Sequence, residues 1–199
     1  MTLGVVILAA GKSARMGRPK LLLPWGVTSV LGHLIEQWRR LGAEQIGIVC
    51  AANSGLENEL ERLGISTEAR IINPEPERGM FSSLQCAANW PGWKGGLTHW
   101  AIALGDQPHI GEETLRRVLA ASASARDKVC QPRQGGHRRH PVIMPKDVFR
   151  GMGRCQAESL KEYLNTQNEI FCELDDPALA SDIDRMEDYE RAKEMYFGP

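Results

Sequence analysis

The sequence lacks a marked excess of charge of either sign. Lys and Arg together number 24 against 25 Asp and Glu, so the formal net charge of the 199 residues is -1. Proteins that bind nucleic acids usually concentrate positive charge, because contacts to the phosphate backbone dominate their affinity. We therefore expect no nucleic acid or other polyanionic polymer as a partner of this chain.

Cysteine patterns that would indicate a disulfide framework or a zinc site are also lacking. The five cysteines are odd in number, and the two closest, Cys155 and Cys172, are 17 residues apart. A small disulfide-rich protein has an even number of closely spaced cysteines, and structural zinc sites use Cys-x-x-Cys pairs. The cysteine usage therefore predicts a protein of the reducing cytoplasm.

Long apolar runs do not occur in the sequence. The longest unbroken run covers residues 5–10, and no basic segment precedes it. A helix that crosses a bilayer needs about 20 predominantly apolar residues, and an export signal needs a positively charged start. We expect neither a membrane partner nor export.

Short apolar runs alternate with amphipathic segments along the chain. One helix is predicted over residues 30–41, with Ser29 as its N-cap and Gly42 as its stop, and another over residues 186–197. The predicted strands cover residues 4–9, 45–50, 69–72, 100–104, 142–144 and 170–174. This alternation predicts one α/β domain over residues 1–199, with a mostly parallel open sheet flanked by helices. Ligands of such sheets bind at the carboxyl ends of the strands.

A glycine-rich segment follows the first predicted strand. Residues 8–24 read LAAGKSARMGRPKLLLP, in which Gly11 and Gly17 permit tight turns and a close approach of the backbone to a ligand. The amides of such a loop, together with the hydroxyl of Ser13, can point toward an anion. The segment also carries three cations, Lys12, Arg15 and Lys20. These features predict a cradle for the phosphates of a nucleoside triphosphate.

The spacing of the glycines excludes the common phosphate-loop motifs. Gly11 and Gly17 are six residues apart and Arg18 follows the second, so the Walker pattern fails, and G-x-G-x-x-G does not occur in the segment. An ordinary strand-to-helix turn with solvated cations is the alternative interpretation. We favour the phosphate cradle because small and basic residues are dense after an apolar strand.

The pattern L-A-A-G-x-S-x-R-M-G-x-x-K at residues 8–20 resembles the signature of the MobA-like nucleotidyltransferases, and in detail the molybdenum cofactor cytidylyltransferases. Further similar motifs are NPEPERGMFSSL at 73–84, LGDQP at 104–108, RHPV at 139–142 and DIDRMEDY at 182–189. The resemblance implies a Rossmann-like fold of the nucleotide-diphospho-sugar-transferase type. It also implies Mg²⁺ as cofactor, CTP as nucleotide and a molybdopterin-type acceptor.

Two carboxylates are candidate metal ligands. Asp106 follows an apolar run and emerges at the carboxyl end of a predicted strand, where a carboxylate can hold Mg²⁺ together with substrate phosphates. The resemblance places the metal on Asp106 and implies that Asp184 completes its coordination. The alternatives are a helix N-cap for Asp106 and a capping pair for Asp182 and Asp184, which we favour for Asp182. Relatives usually show Thr-Pro after the second Asp, whereas Arg185 follows here.

The remaining candidate residues are those predicted to bind the nucleotide or to act on its phosphates. Residues 79–84 open a helical stretch, where we expect one serine to cap the helix and Ser83 to contact the base or ribose. We expect Arg15 to bind the β,γ-phosphates and the departing pyrophosphate, and Lys20 to offset the charge that develops on the α-phosphate. Asp106 is expected to bind the catalytic metal. Members that transfer GMP tend to show Leu-Ala-Gly-Gly, so the methyl of Ala10 favours CTP. The predicted nucleotide-binding residues are Leu8, Ala9, Ala10, Gly11, Ser13, Arg15, Lys20 and Ser83.

The basic stretch at residues 133–139 is predicted to be a loop. His137 and His140 do not form a zinc pair with any Cys or carboxylate at ligand spacing. The stretch is either a solvated basic loop or the surface that receives an anionic acceptor, with Arg139 and His140 as the candidate contacts. Many relatives carry G-D-x-G-A-R after the H-P-V motif, but residues 151–156 read GMGRCQ, with no matching Asp.

Taken together, the residues predict nucleotidyl transfer. By resemblance, the reaction is CTP plus molybdopterin-bound molybdenum giving the cytosine dinucleotide cofactor and pyrophosphate, for a molybdenum hydroxylase apoenzyme of the xanthine dehydrogenase type. One alternative keeps the chemistry with a sugar or polyol phosphate as acceptor. Another alternative is a non-catalytic cofactor carrier that matures a partner enzyme.

Overall fold

Strand β1 (Leu3–Leu8) lies in the middle of the sheet because its side chains are apolar toward both faces. Val5, Val6 and Ile7 are fully buried. A strand that is apolar on both sides is stable only when helices cover both faces of its sheet. The computed structural model, which describes residues 1–11 and 16–198, has this arrangement.

The described residues form ten strands and seven α-helices. The strands after β1 are β2 (Pro24–Trp25), β3 (Thr28–Ser29), β4 (Ala43–Ala51), β5 (Arg70–Asn73), β6 (His99–Leu104), β7 (Val129–Gln134), β8 (His137–Arg138), β9 (Val142–Pro145) and β10 (Glu169–Glu173). The helices are α1 (Val30–Arg40), α2 (Glu57–Arg62), α3 (Met80–Asn89), α4 (Glu112–Ser124), α5 (Lys146–Met152), α6 (Leu160–Leu164) and α7 (Met186–Phe197). No helix among them is long and apolar enough to cross a membrane.

The main sheet is mixed but mostly parallel. Its strand order is β10-β7-β9-β6-β1-β4-β5, with β8 paired to β7. The pairs β1–β4, β1–β6, β4–β5 and β7–β10 are parallel, whereas β9 is antiparallel to both of its neighbours. The predicted α/β class with a mostly parallel sheet is confirmed.

Alternate residues of β1 pack against different helical layers. Val5 and Ile7 belong to one buried cluster, which includes residues of α1, α4 and α7. Val6 belongs to the other, which includes residues of α3, α5 and α6. Because side chains of a strand alternate between its two faces, this division follows directly from the strand geometry.

All six predicted strands are present, and the helices predicted at residues 30–41 and 186–197 form as α1 and α7. Ser29 caps α1, since its Oγ accepts a hydrogen bond from the amide of Gly32 at 2.9 Å. The prediction of a loop over residues 133–139 is wrong. That stretch contains the end of β7, a turn at Gly135 and Gly136 with φ of 57° and 79°, and β8. The apolar part of β7 is only Val129 and Cys130, too short to be recognised as a strand in the sequence.

The carboxyl ends of β1 and β6 lie side by side. Leu8 is paired with Leu104, and the amide of Gly105 donates to the carbonyl oxygen of Leu8 at 3.2 Å. A Cβ on Gly105 would lie 2.6 Å from that oxygen and 2.9 Å from Cδ2 of Leu21. The two chain segments can approach this closely only because residue 105 has no side chain.

We predict that Gly105→Ala lowers the free energy of unfolding by about 1–3 kcal/mol, the usual cost of overpacking. The matched control is Gly95→Ala, because a Cβ at that position has no atom within 4 Å. Urea unfolding monitored by circular dichroism measures both variants. Equal midpoints for the two variants would show that the approach at Gly105 is not tight in solution.

Candidate active site

The side chain of Lys20 lies between groups from two distant parts of the chain. Its Nζ donates to Oδ2 of Asp106 at 2.8 Å and to the carbonyl oxygen of Ile183 at 2.9 Å. Oδ1 of Asp184 lies 3.7 Å from the same nitrogen. The Lys20 side chain is 16% exposed and that of Asp184 is 48% exposed, so one side of this charged cluster is open to solvent. The structure thus brings together three of the residues that the sequence nominated.

The sheet register explains why these groups meet. Asp106 follows the carboxyl end of β6, directly beside the end of β1 from which the glycine-rich segment begins. The segment before α7 then crosses this position, since the amide of Ile183 donates to the carbonyl oxygen of Asp106 at 3.1 Å. Asp184 is therefore held close to Asp106 by a backbone hydrogen bond and by the ammonium group of Lys20, which approaches both carboxylates.

The two carboxylates fit a divalent cation that is bound together with a nucleotide. Asp106 and Asp184 both approach one cationic group, so a cation at that place would meet a carboxylate from each. Among the described residues, no group of three or more His, Cys, Asp or Glu side chains could hold a metal alone. Mg²⁺ typically takes one or two carboxylates and completes its shell with phosphate oxygens and water.

Asp182 does not have the capping role that we favoured from the sequence. Its Oδ1 accepts a hydrogen bond from Nε2 of Gln107 at 2.8 Å. The N-cap of α7 is Arg185, and the carboxylate that accepts from its amide, at 2.9 Å, belongs to Asp188. The capping interpretation is wrong because α7 begins at Met186, too far along the chain for Asp182 to reach its free amides.

A cleft of about 360 Å³ opens at the carboxyl ends of β1 and β6. Its lining comprises Leu8, Ala10, Gly11, Pro76, Gly79, Met80, Ser83, Leu104, Gly105 and Asp106. A second cleft of about 400 Å³ shares Ala10 and Gly11 with it and is also lined by Ala9. Five of the predicted nucleotide-binding residues therefore line two adjoining clefts, while Ser13 and Arg15 lie outside the described residues.

A buried asparagine organises the serines at the start of α3. Nδ2 of Asn73, which is fully buried at the end of β5, donates to Oγ of Ser82 at 2.8 Å and of Ser83 at 2.9 Å. No side chain caps α3; its N-cap is Gly79, with φ of 92°, and the hydroxyl of Ser82 donates to the Gly79 carbonyl. The prediction that one serine caps this helix is therefore wrong. Ser83 lines the cleft with a hydroxyl that accepts from Asn73 and keeps its own hydrogen for a ligand.

Two arginines of the hairpin formed by β7 and β8 are paired with glutamates of β10. Arg133 pairs with Glu173 at 3.1 Å and lies over the ring of Phe171, while Arg138 pairs with Glu169 at 3.3 Å. Burial raises the pKa of Glu169, an effect that Arg138 partly offsets. These two arginines therefore stabilise the hairpin itself.

Arg139 differs from its neighbours. Its side chain has no hydrogen bond or ion pair with any described residue, and its Nε is buried without a partner. It lines a cleft of about 470 Å³ with other cationic and imidazole groups, His137, Arg138, His140 and Lys161. Nδ1 of His140 lies 3.4 Å from the carbonyl oxygen of Ile102, and burial lowers the pKa of this imidazole, so it is neutral at pH 7.

Comparison with known proteins decides the family. Residues 5–170 match the MobA-like NTP transferase domain. The chain belongs to this family. It is 25% identical to the molybdenum cofactor cytidylyltransferase of Escherichia coli K12 over 96% of this chain and 95% of that protein. The resemblance inferred from the motifs is therefore confirmed.

Solved structures share the fold of this chain. Rv0371c from Mycobacterium tuberculosis is 25% identical with a TM-score of 0.75, and the match covers 97% of both chains. A complex of Rv0371c with manganese has a TM-score of 0.67 and 23% identity over 98% of this chain and 99% of that chain. CMP:2-keto-3-deoxy-manno-octonic acid synthetase, solved with CTP, is 14% identical with a TM-score of 0.76 over 98% of both chains, a likeness of fold alone.

The MobA-like site also contains residues that the sequence analysis did not single out. Asn73 fixes the serines of α3, and Gln107 and His109 contact the segment that carries Asp184. Each lies inside a motif that carried the family resemblance, NPEP or LGDQP, or one residue beyond it. Polar residues next to the end of a buried strand are the signal that identifies them.

We predict that Lys20→Met lowers the free energy of unfolding in metal-free buffer by about 1–3 kcal/mol, because charge-assisted hydrogen bonds are lost. The two carboxylates then face each other without that ammonium group. A divalent cation should therefore raise the melting temperature of the variant more than that of the wild type. Lys146→Met, at an exposed position of α5, is the control. An identical response of both variants to the cation would contradict the geometry at Lys20.

Proposed function

We propose that this MobA-like nucleotidyltransferase transfers CMP from CTP to molybdopterin-bound molybdenum and releases pyrophosphate, with Mg²⁺ as cofactor. The observation that carries the proposal is the position of Asp106 and Asp184, whose carboxylates both approach the ammonium group of Lys20 beside the cleft of the glycine-rich segment. Similarity to the Escherichia coli cytidylyltransferase over nearly the whole chain supports the choice of reaction. We assign the activity to a single domain, residues 1–199, acting in the cytoplasm.

Nucleotidyl transfer demands little covalent chemistry of the protein. A phosphate oxygen of the acceptor, already an anion, attacks the α-phosphorus of CTP, and the bond to the departing pyrophosphate breaks. No general base is needed, so positioning and charge neutralisation carry the rate. When bound by Asp106 and Asp184, Mg²⁺ supplies positive charge to the triphosphate and to the leaving group.

The residues of the chain divide this task. Lys20 offsets the charge that develops on the α-phosphate, and Arg15 binds the β,γ-phosphates and the pyrophosphate. Backbone amides of the segment from Leu8 to Gly11, with Ser13, surround the phosphates. Ser83 donates its hydroxyl hydrogen to the base or the ribose, since Asn73 already occupies its acceptor side.

The choice of CTP depends on the space near the base. Ala10 lines both of the adjoining clefts. Relatives that transfer GMP tend to have glycine at this place, which leaves more room. A pyrimidine therefore suits this chain better than a purine.

The acceptor fits the cleft beside the hairpin. Met80 lines both this cleft and the nucleotide cleft, so the two sites adjoin. The half-buried guanidinium of Arg139 has no carboxylate partner in the described part of the chain, which suits the terminal phosphate of molybdopterin. His140 offers a neutral imidazole next to it. We propose a molybdenum hydroxylase apoenzyme as the recipient of the product.

One assay tests the reaction and its alternatives. Purified protein is incubated with Mg²⁺, with CTP or GTP, and with either molybdate-loaded molybdopterin or a panel of sugar and polyol phosphates, and pyrophosphate is measured. The proposal expects release with CTP and molybdopterin and a higher kcat/KM for CTP than for GTP. Release with a sugar or polyol phosphate alone would replace the acceptor, and no release with any pair would favour a non-catalytic carrier.

We predict that Asp106→Asn lowers turnover by roughly a hundredfold or more, because loss of one charge at the metal removes several kcal/mol of transition-state stabilisation. The fold should persist, since asparagine has the same shape. Asp127→Asn, at an exposed position after α4, is the control. Pyrophosphate release of Asp106→Asn at the wild-type rate and with wild-type metal dependence would disprove the assignment.

We predict that Arg139→Ala raises the KM for molybdopterin about tenfold or more and leaves the KM for CTP nearly unchanged, because the lost contact belongs to one substrate. Arg39→Ala, on the exposed side of α1, is the matched control and should change neither constant. Steady-state kinetics with each substrate varied in turn measure the effect. An equal rise of both KM values would place Arg139 outside the acceptor site.

A further inference from the structure

The segment that carries Asp184 has no regular secondary structure at residues 181–185, yet it is held at several points. Lys20 holds it through the carbonyl oxygen of Ile183, and three further points of attachment lie in the four residues that follow Gly105. The carbonyl oxygen of Asp106 accepts from the amide of Ile183 at 3.1 Å. Nε2 of Gln107, a residue that is 7% exposed, donates to Oδ1 of Asp182 at 2.8 Å.

His109 makes the third attachment. Its side chain is 2% exposed, and Nε2 lies 3.2 Å from the carbonyl oxygen of Ala178 and 3.1 Å from that of Ser181. Because both neighbours are acceptors, Nε2 must carry the hydrogen. Nδ1 is buried without a partner, which suits an unprotonated nitrogen of a neutral ring. Burial lowers the pKa of His109, in agreement with the neutral form.

The need for such attachments follows from the charges. The segment brings two carboxylates, Asp182 and Asp184, toward the carboxylate of Asp106. Like charges at short range repel one another, most strongly where water is partly excluded. A positively charged donor would compete with a metal for the carboxylates, whereas a neutral hydrogen-bond donor does not. Gln107 and His109 are neutral donors of this kind.

We propose that Gln107 and His109 are positioning residues that hold Asp184 at the distance from Asp106 at which both carboxylates share one divalent cation. They act through the segment 178–184 and do not touch the metal. The proposal rests on the metal role of Asp106 and Asp184 given above. Outer residues that orient metal ligands typically contribute 10-fold to 100-fold to metal affinity or activity.

The central experiment compares two buried histidines. His109→Leu removes the donor at nearly constant volume. The matched control is His99→Leu, because His99 is 4% exposed and its Nε2 lies 2.9 Å from the carbonyl oxygen of Arg126, at the opposite end of β6. Binding of Mn²⁺ alone is measured by electron paramagnetic resonance, and melting temperatures are recorded in parallel. We expect both variants to lose stability and only His109→Leu to raise the Kd for Mn²⁺, by about 10-fold to 100-fold.

Two further variants identify the route of the effect. His109→Gln retains an N–H donor and should recover much of the Mn²⁺ affinity. In the background of Asp184→Asn, His109→Leu should change the Kd little more, because interacting positions are not additive. Gln107→Leu provides a second removal of a neutral donor if His109→Leu does not fold.

The outcomes separate this proposal from the proposed function. If Asp106→Asn weakens Mn²⁺ binding but His109→Leu and Gln107→Leu do not, the positioning role is wrong and the metal site stands. Equal Mn²⁺ affinities for the His109→Leu and His99→Leu variants would likewise show that His109 stabilises the fold without positioning Asp184. If Asp106→Asn leaves Mn²⁺ binding unchanged, the metal site itself is wrong and the positioning role fails with it.

Discussion

The ammonium group of Lys20 and the carboxylates of Asp106 and Asp184 form the interaction around which the site is arranged. The two carboxylates repel each other, and the ammonium group that both of them approach offsets this repulsion. Their positions come from three separate parts of the chain, namely the glycine-rich segment, the end of β6 and the segment before α7. The register of β1 with β6 fixes the glycine-rich segment next to the end of β6. Hydrogen bonds from the uncharged side chains of Gln107 and His109 fix the segment before α7.

Features with a local cause could be predicted from the sequence. The six apolar runs became strands, Ser29 capped α1, and α7 formed over residues 186–197. The hairpin could not be predicted, because β7 contains Pro132 and polar residues and is stabilised by pairing with β9 and β10. The same holds for the cap of α7, which depends on Asp188 and thus on where the helix begins.

Within the site, the sequence identified charged residues and missed neutral ones. Asp106 stood out as a charge after an apolar strand, Lys20 as a cation of the glycine-rich segment and Asp184 through the family resemblance, and the structure places the three together. Asn73, Gln107 and His109 lie at or just after the ends of buried strands, but the groups that Gln107 and His109 contact are distant in sequence, so the sequence alone did not assign these contacts. The basic stretch at 133–139 illustrates the same limit, since Arg138 is distinguished only by its long-range pairing with Glu169 from Arg139, which has no such partner within residues 1–11 and 16–198.

The antiparallel strand β9 divides the sheet into two parts. On one side lie β6, β1, β4 and β5, which end at the nucleotide clefts; on the other lie β7 and β10, which carry the hairpin of the acceptor cleft. The hairpin that precedes Arg139 and the strand that precedes Asp106 are thus separated by the whole of β9. A side chain of the outer part can therefore be exchanged without altering the pairing of β1 with β6, which spans six residues and sets the position of Asp106.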